Sequence, residues 1–141
     1  MNKISGRIIN HDGAYNGTVG FTDKIESIDK NSTTNSQNII IPGFIDLHCH
    51  GGNSYDTMAG LQSIIKIAHH HLLNGTTTIL PTTVTATLND TLKALKDLNN
   101  FIDTNTAMTN ILGAHLEGPF INPNKLGAQP PQAQLPNIDF I

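Results

Sequence analysis

Three strand-like segments alternate with two helix-like segments through the middle of the chain, and this alternation limits the fold more than any other feature. Strands are predicted at 44–50, 76–80 and 111–116, and helices between them at 61–72 and 88–102, where apolar residues recur at helical spacing. Successive strands begin about 33 residues apart, the usual size of a right-handed βαβ unit. The pattern therefore predicts an α/β fold with a parallel sheet.

The N-terminal part follows a different pattern, of short strands joined by turns. The strands are predicted at 3–9, 18–21, 24–28 and 38–41. The sequence thus predicts an N-terminal β layer over 1–41 and an α/β domain over 42–141. A closed parallel barrel needs eight βα units and at least about 200 residues, whereas this chain has 141 residues. The pattern is that of either a small open α/β domain or the first part of a barrel.

Composition narrows the class of function. Charged residues make up 13% of the chain, the formal net charge is -3, and Arg7 is the only arginine. A nucleic-acid binder would need a clustered basic face. No apolar run forms a secretory signal or approaches the roughly 20 residues of a membrane span, and a single cysteine, Cys49, is typical of a reducing compartment. We therefore expect a cytoplasmic protein that binds neither nucleic acid nor a membrane.

Two histidines end the first strand of the α/β part. Because side chains alternate faces along a strand, Asp46, His48 and His50 share one face and the apolar side chains between them share the other. The imidazoles lie at the C-terminal end of the strand, where parallel α/β folds place their active sites. We expect them to bind one metal ion or two adjacent ions, since neutral imidazole is a ligand for zinc, iron and nickel. The alternative is a pair of structural or surface histidines.

A carboxylate ends the third predicted strand. Glu117 comes last on the strand face that also carries His115. A buried carboxylate is costly unless it is paired or coordinates a cation, so Glu117 is predicted to join the site; the alternative is a carboxylate that caps a loop. His115 is expected to support a ligand or to be a hydrogen-bonded core residue. The histidine run at 69–71 is predicted to be helix surface, because adjacent helical residues point about 100° apart and cannot close on one ion.

Three segments together resemble one family. They are PGFIDLHCHGG at 42–52, NGTTTILPTT at 74–83 and GAHLEGPFINP at 113–123. The set is similar to the N-acetylglucosamine-6-phosphate deacetylases of the amidohydrolase superfamily, and the resemblance runs over nearly the whole chain. The first segment is shared with dihydroorotases and hydantoinases, whereas HLEGPF is much more specific to the deacetylases.

The resemblance implies a fold and an activity. The chain would form the first three βα units of a metal-dependent (β/α)8 barrel, ending after the third strand and its loop, and 1–41 would form part of a flanking β-sandwich. The implied reaction is hydrolysis of the acetamido group of N-acetylglucosamine 6-phosphate to glucosamine 6-phosphate and acetate. The implied cofactor is a divalent ion, zinc or iron, with one or two ions per site. The complete enzyme would be a cytoplasmic homodimer.

The resemblance also implies roles for individual residues. Glu117 matches the metal-ligand glutamate of the family, and His48 and His50 match a pair that some members use for a second metal. Ala128 and Gln129 stand where the family has a small residue and a histidine that contact substrate; Gln129 donates a hydrogen bond but carries no charge. No catalytic residue falls within this chain, because the general-base aspartate and two further histidine ligands follow later strands. The 141 residues alone are expected to be inactive.

Two other functions stay open at this point. One is an amidohydrolase that acts on a cyclic amide, since pockets in this fold come from late βα loops. The other is a catalytically inactive truncated product, at most a metal-binding module that uses His48, His50 and Glu117.

Overall fold

The computed structural model describes residues 1–30, 33, 35–104 and 109–138. The chain divides into two compact units, Met1–Pro42 and Gly43–Ile141. None of the described helices has both the length and the apolar character that crossing a membrane requires.

A four-stranded sheet forms the N-terminal unit, with strand order β3-β2-β1-β4. The strands are β1 (Asn2–Asn10), β2 (Gly13–Phe21), β3 (Ile25–Asp29) and β4 (Ile39–Ile40). β1 and β2 pair in antiparallel register along their whole length, and β4 adds in parallel beside β1. β2 begins five residues earlier than predicted because its small and polar first half, which has no apolar alternation, is held by pairing with β1.

A three-stranded parallel sheet forms the centre of the second unit. Its elements in chain order are β5 (Phe44–Cys49), a small hairpin of β6 (Gly51–Gly52) and β7 (Tyr55–Asp56), a 3-10 turn (Thr57–Ala59), α1 (Leu61–Leu73), β8 (Thr76–Pro81), α2 (Leu88–Thr104) and β9 (Asn110–Ile111). The sheet order is β5-β8-β9. This arrangement confirms the predicted α/β class.

The core of the second unit lies between the two helices and the parallel sheet. It consists of Cys49, Ile64, Ile67, Ala68, Ile79, Leu98, Phe101 and Ile111. α1 ends where the sequence predicts, because Gly75 adopts a φ of +85° and its N–H donates to the carbonyl of Leu72.

The third strand is much shorter than the sequence predicts. The pattern predicts a strand over 111–116, but regular pairing covers only Asn110–Ile111. The ladder is interrupted around Gly113, whose φ is +157°, and it resumes at a single bridge to His115. Glycine weakens the interior of a strand because it has no side chain to pack. Glu117 therefore lies in a loop beyond the sheet and does not end a strand.

Candidate metal centre

Three side chains converge at the C-terminal edge of the parallel sheet. His50 Nε2 lies 2.9 Å from Glu117 Oε2. His48 Nε2 lies 3.0 Å from the same carboxylate oxygen and 3.2 Å from His50 Nε2. This trio is the only group of three or more possible metal-ligating side chains found in the described part of the chain.

The two histidines lie at an irregular end of β5. In an ideal strand, residues two apart would be separated by about 7 Å along the strand. Here the pairing of β5 with β8 shifts register between Asp46 and Cys49, and Asp46 Oδ1 accepts a hydrogen bond of 3.0 Å from the backbone N–H of His48. From this segment both Nε2 atoms reach the carboxylate of Glu117.

The hydrogen bond of His50 fixes which ring nitrogen carries its proton. His50 Nδ1 lies 3.2 Å from the carbonyl oxygen of Thr82. Because a carbonyl only accepts, Nδ1 carries the hydrogen, and Nε2 of the neutral ring presents a lone pair. That lone pair points at the Glu117 carboxylate and at His48 Nε2.

His50 Nε2 and Glu117 Oε2 are both electron-rich and lie 2.9 Å apart, so they repel one another unless a cation lies between them. The cation is either a proton on an imidazole or a metal ion. A tetrahedral zinc ion with bonds of 2.0–2.1 Å holds its ligand atoms about 3.3 Å apart, close to the observed 2.9 to 3.2 Å. The side chains of His48, His50 and Glu117 are 51%, 40% and 31% exposed, so an ion and a water molecule can reach them from solvent. The donor set therefore fits a divalent ion with an open coordination position.

The other histidines lie outside this trio. The ring of His115 packs edge-on against His48, with ring centroids 4.7 Å apart, and its Nδ1 lies 3.3 Å from Thr82 Oγ1. In the run at 69–71, His71 Nε2 donates to the carbonyl of Gly51 over 3.2 Å. His71 thus ties α1 to the β6-β7 hairpin and takes no part in the cluster.

Comparison with known proteins places the chain in a family. The N-acetylgalactosamine-6-phosphate deacetylase of Escherichia coli O157:H7 is 35% identical over 114 residues, which cover 80% of this chain and 30% of that protein. The N-acetylglucosamine-6-phosphate deacetylase of Bacillus subtilis (strain 168) is 34% identical over 129 residues, which cover 82% of this chain and 33% of that protein. The chain belongs to the N-acetylglucosamine-6-phosphate deacetylase family.

A solved structure agrees with this family and with the fold. The N-acetylglucosamine-6-phosphate deacetylase from Thermotoga maritima superimposes with a TM-score of 0.88 and 29% identity, over 99% of this chain and 38% of that one. No family model matches the chain. The chain spans about a third of the length of the curated deacetylases that it matches.

The two residues that the deacetylase resemblance assigns to substrate are not members of the trio. Ala128 is exposed in a turn. Gln129 is partly buried, and its Oε1 accepts a hydrogen bond of 2.7 Å from the backbone N–H of Thr85, in the segment that follows β8. The side-chain carbonyl of Gln129 thus holds two loops of the deacetylase fold together, and its amide group keeps its capacity to donate.

The sequence patterns predict no role for Thr82 and Thr83. In the structure Thr82 bonds to Cys49, between the two histidines, and Thr83 bonds to Glu117. The two threonines are 0% and 2% exposed and follow β8 directly. The available signal was their position, because two hydroxyl side chains at the C-terminal end of a buried parallel strand share an edge with His50 and Glu117.

Cys49 is expected to be an unreactive thiol although it lies between two members of the trio. The residue is 9% exposed, and burial, with a smaller contribution from the charge of Asp46, raises the pKa of its thiol from 9.0 to about 11. At pH 9 only about one in a hundred molecules would carry the reactive thiolate, against half for an ordinary thiol. Iodoacetamide should therefore label Cys49 about 50-fold more slowly in folded protein than in urea, with mass spectrometry as the readout. Equal rates would mean that the segment opens freely.

Proposed function

We propose that this chain supplies the metal-binding edge of an enzyme that hydrolyses the acetamido group of N-acetylglucosamine 6-phosphate, giving glucosamine 6-phosphate and acetate. The observation that carries the proposal is the lone pair of His50 Nε2, which faces the Glu117 carboxylate at 2.9 Å, a contact that a cation between the two atoms would stabilise. The relatives named above, in which the same reaction class recurs, support the choice of substrate.

The finer architecture belongs to the same proposal. Residues 42–141 would form the first three βα units of a (β/α)8 barrel, and 1–41 would form part of a flanking β-sandwich. The parallel order β5-β8-β9, with a helix in each crossover, supports a barrel start. The complete enzyme would be a cytoplasmic homodimer.

Within the proposed site, His48, His50 and Glu117 would hold one or two divalent ions, zinc or iron. A bound ion would activate water and polarise the amide carbonyl of the substrate. Glu117 supplies the negative charge that favours a divalent ion over a proton shared by the histidines. His50 is kept in the correct tautomer by its bond to the Thr82 carbonyl. In the overall reaction the amide C–N bond breaks, a C–O bond forms from water, and a proton passes to the departing amine.

Substrate contacts are proposed for Ala128 and Gln129. The Gln129 amide can donate a hydrogen bond to a sugar oxygen while its Oε1 accepts from the backbone of Thr85. The small side chain of Ala128, exposed in the adjoining turn, leaves room for a sugar ring beside it. A neutral glutamine in place of the histidine of the family would weaken any contact that depends on charge.

The epimeric sugar is a second candidate substrate. The relative from Escherichia coli O157:H7 is an N-acetylgalactosamine-6-phosphate deacetylase, 35% identical to this chain. The two sugars differ only in the orientation of one ring hydroxyl, so the same metal-binding edge would serve for either.

The product of the complete reading frame that encodes this chain is expected to release acetate from N-acetylglucosamine 6-phosphate. Acetate and the free amine would be measured after loading with zinc or iron, and in parallel with the galactosamine epimer. Chelation should remove at least about nine tenths of the rate, and added metal should restore it. A folded, metal-loaded protein that releases acetate from neither sugar would contradict the proposal.

A further inference from the structure

We propose that Thr82 and Thr83 are positioning residues that hold the two halves of the metal centre in register, an inference that rests on the proposed function. One half of the centre is the end of β5, which carries the histidines, and the other is the loop that carries Glu117. The two threonines lie between these halves, directly after β8, and are almost wholly buried.

Thr82 makes three hydrogen bonds to the segment that carries the histidines. Its backbone N–H donates to the carbonyl of Cys49 over 2.7 Å. Its Oγ1 accepts from the N–H of Cys49 over 3.0 Å. Its carbonyl oxygen accepts from His50 Nδ1 over 3.2 Å, the bond that sets the tautomer of that ring. Thr82 therefore fixes both the backbone between the histidines and the direction of one ligand atom.

Thr83 makes two hydrogen bonds to the segment that carries Glu117. Its backbone N–H donates to the carbonyl of His115 over 3.0 Å. Its Oγ1 accepts from the N–H of Glu117 over 3.3 Å. Two consecutive residues thus bind both halves of the centre, and Thr82 Oγ1 also lies 3.3 Å from His115 Nδ1 in the segment before Glu117. A displacement of one half is therefore transmitted to the other through a single peptide unit.

The hydroxyl groups matter because regular sheet pairing is missing where the ligands lie. The register of β5 against β8 shifts just before Cys49, and the ladder of β9 is interrupted before His115. The Cys49 N–H, in a buried residue, and the Glu117 N–H bond instead to the two threonine hydroxyls. A buried backbone N–H without an acceptor costs free energy. If a threonine hydroxyl is removed, we expect the backbone segment that it held to shift to a position where its N–H has another acceptor.

The test compares valine variants, which keep the shape of threonine and remove only the hydroxyl. Thr82→Val and Thr83→Val are expected to weaken Zn²⁺ binding by about 10- to 100-fold, measured by calorimetric titration of the full chain at a temperature where circular dichroism shows every variant folded. Thr57→Val is the matched control. Thr57 is 0% exposed, and its Oγ1 has no hydrogen-bond partner among the described residues, so this variant should bind Zn²⁺ like the unchanged chain.

Two further measurements separate positioning from general stability. Thr82→Ser restores the hydroxyl and should return the affinity to within about threefold of the unchanged chain. In zinc-free protein, ¹⁵N NMR of the imidazole should show His50 with its hydrogen on Nδ1. Thr82→Val keeps the backbone carbonyl that accepts this hydrogen, so it should mix the tautomers because loss of the hydroxyl bond to Cys49 displaces that carbonyl. A variant that only loosened the fold would lower the melting temperature without changing that tautomer.

The outcomes distinguish this inference from the function on which it rests. If the unchanged chain binds no Zn²⁺, the proposed metal centre itself fails. If the unchanged chain binds Zn²⁺ and Thr82→Val and Thr83→Val bind it equally well, the metal centre stands and the positioning role is overturned. Weakened binding that serine does not restore would also overturn the role of the Thr82 hydroxyl.

Discussion

Replacing Glu117 with glutamine should abolish tight metal binding while the fold persists. Glu117 Oε2 is the point at which both imidazoles meet, 3.0 Å from His48 Nε2 and 2.9 Å from His50 Nε2. Glutamine has the same shape but no charge, and its NH₂ group would donate to the imidazole lone pairs. The cluster would then be satisfied without a cation. We expect Zn²⁺ affinity to fall by at least about 100-fold, and any metal-dependent hydrolysis to fall with it.

The chain offers a matched control for this substitution. Glu26 is the only other glutamate in the sequence. It lies exposed in β3 and accepts a hydrogen bond from Thr22 Oγ1. Glu26→Gln makes the same change of charge away from the trio, so it should leave Zn²⁺ affinity unchanged. The measurement is a Zn²⁺ titration of both variants. If the Zn²⁺ affinity of Glu117→Gln stays within threefold of that of the unchanged chain, the metal binds elsewhere.

The fold was predictable where the spacing of residue types along the chain matches the face that each element buries. α1 lies where apolar spacing and the Asn74-Gly75 stop predict it, and β8 lies where a run rich in β-branched residues that ends at Pro81 predicts a strand. The predicted start of β2 and the predicted end of the third strand were wrong, because no local pattern marks either boundary. The first half of β2 is held by its partner strand, and the predicted third strand is broken at Gly113, neither of which follows from local periodicity.

The candidate site was predictable in its members but not in its geometry. Alternation along β5 puts His48 and His50 on one face, and a strand-end carboxylate draws attention to Glu117. The distances between them are set by packing across segments about 70 residues apart, and the register shift near Cys49 is likewise not contained in regular strand geometry. Side-chain bonds between segments far apart in sequence, such as that of Gln129 to Thr85, are set by packing and leave no local pattern.

At Gly118, next to the candidate metal ligand Glu117, a single added methyl group should cost stability through both backbone strain and close packing. The φ of Gly118 is +77°, which costs a residue with a Cβ about 1–2 kcal/mol. The added Cβ would also clash with the Thr85 hydroxyl and lie 3.1 Å from Thr85 Cα. Such overpacking costs about 1–3 kcal/mol more. Gly118→Ala is therefore expected to lower the free energy of unfolding by about 2–5 kcal/mol, measured by urea denaturation.

Gly127→Ala separates the two contributions. Gly127 has a similar φ of +62°, but nothing lies within 4 Å of its added Cβ, so only the backbone cost of about 1–2 kcal/mol should appear. Equal destabilisation of the two variants would show that Thr85 yields easily to the methyl group. If Thr85 does not yield, relief of the clash must move the loop that begins at Glu117 away from the segment after β8. Zn²⁺ affinity should then fall in Gly118→Ala and stay unchanged in Gly127→Ala, because only the first displacement moves a ligand of the proposed centre.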